Sequence, residues 1–485
     1  MYRRVLSFLM VLVVLSVLVF FFSCSLSPSP KATNEVTNEG SGGSVADTSK
    51  PSVSITTPTN GQVLYDNNIT VNGTASDEGS GVKEVWLSVN GGAYGKVDGT
   101  TNWSTNVTVN YGNNTIRVYA VDNSNNVSTT NTVSVFRDYV VFVSTGGSDA
   151  NTGGISDPFR SINVAMGHIS ANITSLSVTV TVKVGSGVYT PDSGLSSSGS
   201  GFVINRPNVV ISGGWNSDFS SVVGESELDG NNSLYNVVII KDVTNVKLEN
   251  LVIRGGNANS SYPNDRGGGI YVSKVSYLVI ESSVVIRNNS AKYGGGVFLD
   301  NSTNITISGS VYGNSATYYQ GGGVYLYYSH NNTISGSVYN NSANDSGGGV
   351  YLIHSTYNTI SGSIYSNNSS ASYYGGGGVY LDNSAYNTIS GIVYGNSANN
   401  GVGGGVLLYY SPNTTISGSV YGNSANQYGG GVFLNVSDYF TNTGWITNNT
   451  VTSSGGSGGG VYKFGSYNNS YFGNVSGNSP NDIAP

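Results

Sequence analysis

The residues with the clearest chemical potential are charged side chains between positions 254 and 287. They are Arg254, Asp265, Arg266, Glu281 and Arg287. Two carboxylates among arginines would suit an acidic polysaccharide, because acid–base chemistry needs carboxylates and cations would neutralise the substrate. We therefore consider Arg254, Asp265, Glu281 and Arg287 as candidate catalytic residues of a polysaccharide lyase or glycoside hydrolase. The alternative is a solvated surface with ordinary ion pairs, in which case the chain has no catalytic residues.

A second set of candidates is aromatic. One aromatic residue follows three glycines and an aliphatic residue at seven places: Tyr271, Phe298, Tyr325, Tyr351, Tyr380, Phe433 and Tyr462. Such rings stack on sugars and dominate protein contact patches. If they face outward they form an exposed stripe that binds carbohydrate or a surface protein. The alternative is a packed ladder that only stabilises the fold. Pairs such as Tyr327-Tyr328 and Tyr409-Tyr410 would add to the aromatic surface.

Two aspartates in the N-terminal half are the candidates for a metal site. Asp77 and Asp122 each follow a short predicted strand, and carboxylates at one end of a sandwich could bind calcium. The alternative is that both act as turn and loop caps. We expect no metal and no other cofactor.

The aromatic candidates belong to a repeat that must position them. Three glycines followed by an aliphatic residue recur eight times, at intervals of 26 to 29 residues. The triplets begin at Gly267, Gly294, Gly321, Gly347, Gly376, Gly403, Gly429 and Gly458. A fixed period of this size indicates stacked units that bury their apolar faces on one another.

The pattern within each repeat predicts short strands. Val324 and Leu326 alternate with Tyr325, and glycine and asparagine corners follow. Three columns should result when such coils stack about 4.8 Å apart. The first is Ile307, Ile334, Ile360, Ile389 and Ile416; the second is Val311, Val338, Ile364, Val393 and Val420; the third, at a turn, is Asn288, Asn314, Asn341, Asn367, Asn396 and Asn423. The predicted fold is therefore an all-β parallel β-helix.

The repeat also separates the remaining acids. Asp300 and Asp382 occupy the same position of the repeat but lie three coils apart, about 14 Å. That exceeds the roughly 5–9.5 Å between the two carboxyl groups of a glycosidase. They are therefore a poor catalytic pair.

Composition excludes some classes of partner. Only 9% of the 485 residues are charged, the net charge is -7, and no basic run occurs, so we expect no nucleic-acid binding. The single cysteine allows no intrachain disulfide, so stability must come from the stack itself. We expect a monomer.

The N-terminus has the pattern of an export signal. Arg3 and Arg4 precede an apolar run, and Cys24 follows it directly. Residues 1–24 resemble a bacterial lipoprotein signal, which implies that Cys24 is lipidated and holds the chain in a membrane. An uncleaved anchor and simple secretion are the alternatives. Residues 25–50 have the composition of a flexible tether.

Two folded domains should follow. Residues 51–137 contain about seven short strands and resemble bacterial Ig-like modules in phrases such as Gly73-Thr74-Ala75-Ser76-Asp77. Residues 138–485 should form the β-helix, with a helix near 161–170 that covers its open end. The phrase Val311-Tyr312-Gly313-Asn314-Ser315-Ala316 before Gly321 resembles the right-handed β-helix repeats of polymorphic outer-membrane-type proteins, of the pectate-lyase-like superfamily.

These observations favour a protein of the bacterial cell envelope. The expectation is an outer-membrane lipoprotein, exposed at the surface, that works as an adhesin, a ligand-display protein or a structural protein without catalysis. The enzymatic alternative requires the charged residues between 254 and 287 to converge in one groove.

Overall fold

The structure is a computed structural model that describes residues 46–191, 199, 201–471 and 473–485. The predicted signal peptide, Cys24 and nearly all of the predicted tether lie outside these residues. Among the described residues, no helix combines the length and the apolar character that crossing a membrane requires.

The first domain is a sandwich of two mostly antiparallel sheets, four-stranded and five-stranded. In sheet order, the strands are Ser52–Thr57, Asn68–Ser76, Asn102–Thr108 and Asp98–Gly99 in the first sheet, and Val63–Leu64, Asn131–Arg137, Gly112–Asp122, Val82–Val89 and Gly95–Lys96 in the second. Burial alternates along Asn68–Ser76 and Gly112–Asp122, so one face of each strand lines the core. Val71, Trp103 and Ile116 are among the buried residues.

One helix, Ile162–Asn172, packs at the N-terminal end of the β-helix. It begins after Ser161, whose side chain accepts a hydrogen bond from the Val164 amide at 3.2 Å. Its buried side chains are Ile162, Ala165, Met166 and Ile169, which are spaced along one face of the helix. The helix therefore covers the first coils with an apolar stripe.

The rest of the described chain winds through three parallel sheets, called here sheets 1, 2 and 3 in the order that each coil visits them. Sheet 1 consists of Val140–Val143, Val180–Gly185, Val209–Trp215, Thr244–Glu249, Ser276–Ile280, Thr306–Ile307, Thr333–Ile334, Thr359–Ile360, Thr388–Ile389, Thr415–Ile416, Thr441–Asn442 and Ser470–Tyr471. Sheet 2 consists of Gly187–Tyr189, Ser226–Leu234, Leu251–Ala258, Val285–Arg287, Ser290–Ala291, Ser310–Tyr312, Ser315–Ala316, Val338–Tyr339, Ser342–Ala343, Ser363–Tyr365, Asn368–Ser369, Ile392–Tyr394, Ser397–Ala398, Ser419–Tyr421, Ser424–Ala425, Trp445–Thr447, Thr450–Val451 and Asn474–Ser476. Sheet 3 consists of Phe202–Ile204, Val238–Lys241, Ile270–Ser273, Val297–Asp300, Val324–Tyr327, Val350–Ile353, Val379–Asp382, Val406–Tyr409, Val432–Asn435, Val461–Phe464 and Ile483–Ala484.

The predicted all-β fold and its two aliphatic columns are confirmed. Ile307 pairs in register with Ile334, and that column continues through Ile416. Val311 pairs with Val338 in the second column, and both columns are buried. One apolar core therefore runs along the inside of the coils.

The asparagine column is confirmed except for its first member. Asn289, not Asn288, donates its amide N–H to the side chain of Asn314, at 3.0 Å. Asn288 instead sits in the turn itself, with a φ of 54°. Two adjacent asparagines fit the repeat equally well in sequence, and only the turn conformation decides between them. The column continues through Asn449 to Asn478.

Candidate functional site

The charged candidates do not form one cluster, although the enzymatic alternative requires them to converge in one groove. Arg254 binds Glu227 at 2.6 Å and Asp229 at 2.9 Å, and Arg287 binds Glu227 at 3.2 Å. These four side chains lie on neighbouring strands of sheet 2. The hydrogen bond that Arg254 donates to the Glu227 carboxylate raises the pKa of Arg254. Each charge is thus used in an ion pair, and Glu227, which holds the group together, was not predicted.

The other two candidates lie elsewhere on the coil. Asp265 pairs with its neighbour Arg266 at 3.2 Å, in the loop that leads into sheet 3. Glu281 pairs with Lys247 at 3.2 Å, at the end of a sheet 1 strand. Positions close in sequence are separated because a single coil, the 33 residues from Arg254 to its register partner Arg287, passes around all three sheets. The four candidates therefore occupy three places.

Asp77 and Asp122 do come together, since their carboxylates approach within 4.8 Å. Each is also used locally. Asp77 accepts hydrogen bonds from the amides of Gly79 and Gly81, at 3.1 and 2.8 Å. Asp122 accepts from the amide and the side chain of Asn126, at 2.7 and 2.8 Å. These are the contacts of turn-capping carboxylates, which was the alternative to a metal site.

The aromatic column after the glycine triplets is buried, so the prediction of an exposed stripe is wrong. Its members are Tyr271, Phe298, Tyr325, Tyr351, Tyr380, Phe433 and Tyr462, and all but the half-buried first and last are 2–5% exposed. Loops before the triplets cover the outer face with a second layer that includes Tyr293, Tyr374, Val402 and Tyr428. Burial raises the pKa of Tyr351. The column is therefore a packed ladder.

Exposed aromatic rings occur instead where the chain turns from sheet 3 into sheet 1. We call these six residues the tyrosine corner: Tyr277, Tyr328, Tyr357, Tyr386, Tyr410 and Tyr439. Their exposed fractions are 61%, 42%, 57%, 50%, 47% and 55%, respectively. Each has a φ between 44° and 60°, a left-handed conformation that large side chains rarely adopt. At equivalent positions of other coils the residue is often asparagine, as at Asn304, Asn331 and Asn413.

The spacing within the tyrosine corner leaves ring faces open. Tyr357 and Tyr386 stack at 5.2 Å, but Asn413 separates Tyr386 from Tyr439. Two coil spacings, about 9.6 Å, therefore lie between those two rings. Such a gap can admit a flat ring between two aromatic faces.

A second tyrosine ladder on sheet 2 lacks such gaps. It consists of Tyr312, Tyr339, Tyr365, Tyr394 and Tyr421. Consecutive rings stack at 4.7 to 5.2 Å with interplanar angles of 2° to 15°. Each inner ring stacks on a neighbour with both of its faces, so this ladder presents ring edges and hydroxyl groups to solvent. The tyrosine corner is the better stacking surface.

Sequence reasoning found this corner only in part. Tyr328 and Tyr410 belong to the tyrosine pairs noted above. Tyr277, Tyr357, Tyr386 and Tyr439 were missed. The signal available in sequence was a repeat position that alternates between asparagine and tyrosine, since asparagine marks left-handed backbone.

Comparisons with known proteins agree with this architecture. Residues 51–120 match the family described as bacterial Ig domain, and residues 295–476 match the family described as right handed beta helix region. No curated protein matches the chain.

Three solved structures show partial similarity to this chain. The fibronectin(III)-like modules of Clostridium thermocellum CbhA are 28% identical over 19% of this chain, with a TM-score of 0.18, and the match spans 47%, about half, of that structure. A family 28 exopolygalacturonase of Yersinia enterocolitica is 12% identical, over 90% of this chain and 98% of its own, with a TM-score of 0.26. The A-module of the Azotobacter vinelandii mannuronan C-5 epimerase AlgE6 is 14% identical, over 66% of this chain and 93% of its own, with a TM-score of 0.29. By the two family matches and the order of its sheets, the chain is a bacterial Ig domain followed by a right-handed parallel β-helix, an architecture of extracellular and surface proteins.

Proposed function

We propose that this chain is a non-catalytic surface protein that holds its β-helix away from the cell and binds carbohydrate along the tyrosine corner. The observation that carries the proposal is the gap between Tyr386 and Tyr439, bounded by rings that are 50% and 55% exposed. A sugar ring in this gap would stack on both aromatic faces, and its hydroxyl groups would meet the amide of Asn413.

Backbone strain supports a role for these rings. A left-handed conformation costs a non-glycine residue on the order of 1 kcal/mol, and asparagine tolerates it better than tyrosine does. The tyrosines persist at 50% exposure or more in four coils, where they add little burial. Strain of this kind often marks a ligand contact.

The charged side chains support binding without turnover. A lyase or glycoside hydrolase would leave its carboxylates, or a carboxylate and a cation, free to reach the substrate. Here Arg254 is bound to Glu227 and Asp229, Arg287 is bound to Glu227, and Glu281 is bound to Lys247, so each of these charges is engaged in an ion pair. We therefore favour adhesion or ligand display over an enzyme acting on an acidic polysaccharide.

Binding should weaken when both aromatic faces of the gap are removed. We expect Tyr386→Asn with Tyr439→Asn to weaken affinity for a bound glycan by about ten-fold, because roughly 1.4 kcal/mol of stacking disappears. Asparagine suits the left-handed backbone, so the melting temperature should not fall. A glycan array on the full chain would identify the glycan, and calorimetry would measure its affinity.

Two further variants test whether binding depends on the gap or only on the number of exposed aromatic rings. Asn413→Tyr adds a ring but fills the gap, so it should also weaken binding. Tyr318→Ala removes a ring that is 64% exposed on a different loop and should change nothing. If Asn413→Tyr binds glycan as well as the unsubstituted chain, the gap is not the binding site.

Surface display depends on the N-terminus. We expect Cys24→Ser to abolish incorporation of labelled fatty acid and to release the protein from the membrane fraction into the soluble fraction, because no other cysteine is present. Metabolic labelling followed by membrane fractionation would measure both. Ser29→Ala, in the predicted tether, is the matched control and should leave labelling and fractionation unchanged. Membrane retention of the Cys24→Ser protein would instead indicate an uncleaved anchor.

A further inference from the structure

An open cavity of about 610 Å³ lies at the N-terminal end of the tyrosine corner. The end of the cap helix, the residues after it and the turns before two sheet 1 strands line it. Ser170, Thr174, Thr244 and Ser276 contribute hydroxyl groups. A cavity of this size and mixed lining is typical of a small-ligand site.

The cavity holds one buried cation that is not neutralised. Arg206 is 3% exposed, and its guanidinium donates to the backbone carbonyl groups of Ile173, Ser175 and Pro207 at 2.5 to 3.3 Å. Its Nε atom has no hydrogen-bond partner, and no acid in the described residues forms an ion pair with it. Burial lowers the pKa of Arg206, as expected for a cation without a counterion.

Two more charged side chains line the cavity. Lys274 and Asp242 are exposed and occupy consecutive positions of one column at the corner, where the Asp242 amide donates to Ser273. Both have left-handed φ angles, 54° and 55°. The lining thus carries two cations and one carboxylate, so it favours an anion.

The cavity lies next to the first residue of the tyrosine corner. Ser276, which lines it, directly precedes Tyr277, the first ring of the corner. Lys274 occupies the column that holds Asn301 and Tyr328 in the following coils. A glycan that extends along the corner as far as Tyr277 would therefore end next to the cavity.

We propose that this cavity is a subsite for an acidic sugar, a carboxylate-bearing ring whose charge is met by Lys274 and the field of Arg206. This inference rests on the proposed function, because it names the class of glycan that the tyrosine corner would bind. The hydroxyl-rich walls suit the sugar ring, and the excess of positive charge selects the acid.

The test uses D-glucuronate as the probe, with D-glucose and acetate for comparison, in ligand-observed NMR titrations of the full chain. We expect glucuronate to bind more tightly than either. Lys274→Asn should weaken glucuronate binding by about five-fold, and Asp242→Asn should strengthen it by about three-fold. Asparagine is compatible with both left-handed positions, so neither change should unfold the chain.

Salt and neutral sugar provide the controls. Both effects should shrink between 0.1 and 1 M salt, where the screening length falls from about 10 to about 3 Å. The subsite would be overturned if the variants changed glucose binding as much as glucuronate binding. It would also be overturned if acetate bound as tightly as glucuronate. Loss of glycan binding in the Tyr386 and Tyr439 variants with no effect of Lys274→Asn would leave the proposed function standing and remove this inference alone. If the tyrosine variants bind glycan normally while Lys274→Asn still weakens glucuronate binding, the proposed glycan site at the tyrosine corner would be wrong, and the cavity would remain a site for an acidic sugar.

Discussion

Replacement of Gly348 by alanine is expected to prevent the β-helix from folding, or to lower its free energy of unfolding by more than about 4 kcal/mol. Gly348 is the second glycine of its triplet, and its backbone runs against the next coil. A Cβ atom there would contact the Asn368 carbonyl oxygen and lie 2.5 Å from the carbonyl carbon and 2.7 Å from the amide nitrogen of Asn368. Since backbone cannot move aside as a flexible side chain can, the coils would have to separate. Circular dichroism and denaturant titration would measure the loss.

Gly455→Ala is the matched control for that substitution. Gly455 lies in a loop of the same domain, has no left-handed φ, and a Cβ atom there would meet nothing within 4 Å. We expect its stability to be unchanged or slightly raised, because alanine restricts the unfolded chain. Full stability of Gly348→Ala would mean that the backbones of Gly348 and Asn368 lie farther apart than this contact requires.

The glycine triplets show which part of the fold the sequence predicts well. Their period predicts the stacking, and the alternation of Val324 and Leu326 with Tyr325 predicts which side chains face the core. Glycine tolerates left-handed backbone, but only the first glycine of each triplet has a positive φ, such as 66° at Gly347. The second is required by close approach of the next coil, which depends on the three-dimensional stack.

The aromatic column shows where alternation is insufficient. A side chain opposite the core is exposed only if nothing else covers that face. Here a second layer from the loops covers Tyr325 and Tyr351, which are 5% and 4% exposed. Loop lengths vary between repeats, so the periodic positions alone do not predict the path of each loop over the sheet.

The charged residues show the corresponding limit for a site. Arg254 and Glu281 are close in sequence, yet they lie on sheet 2 and at the end of a sheet 1 strand. The partner of Arg254, Glu227, is one coil earlier. Within a solenoid, neighbours in space lie one period apart, and the irregular early coils lack a repeat that would reveal this spacing.

The tyrosine corner and the Arg206 cavity could not be predicted from the composition of the sequence. A tyrosine at a left-handed position looks like any other tyrosine in a sequence rich in them. Arg206 is a single arginine in an irregular coil, and only the structure shows that carbonyl groups surround it. Both sites required backbone conformation and burial to be recognised.

Asn367→Ala is expected to lower the free energy of unfolding by about 4 kcal/mol, since it leaves several buried polar groups without partners. Asn367 is 1% exposed and sits in the middle of the asparagine column. Its Oδ1 accepts from the amide and the side chain of Asn341, both at 3.0 Å. Its Nδ2 donates to the Val338 carbonyl and to the side chain of Asn396, both at 2.9 Å. Alanine removes all four bonds and adds a void.

The effect should also be local, because each coil contacts mainly its neighbours. Hydrogen exchange should accelerate most at the amides of Asn341 and Asn367 and least in the Ig domain. Asn400→Ala is the control, since that side chain is exposed and makes one long bond, 3.3 Å, to the Ser370 carbonyl. A loss below about 1 kcal/mol for Asn367→Ala would mean that water replaces the missing amide, and the column would then order the turn without stabilising the stack.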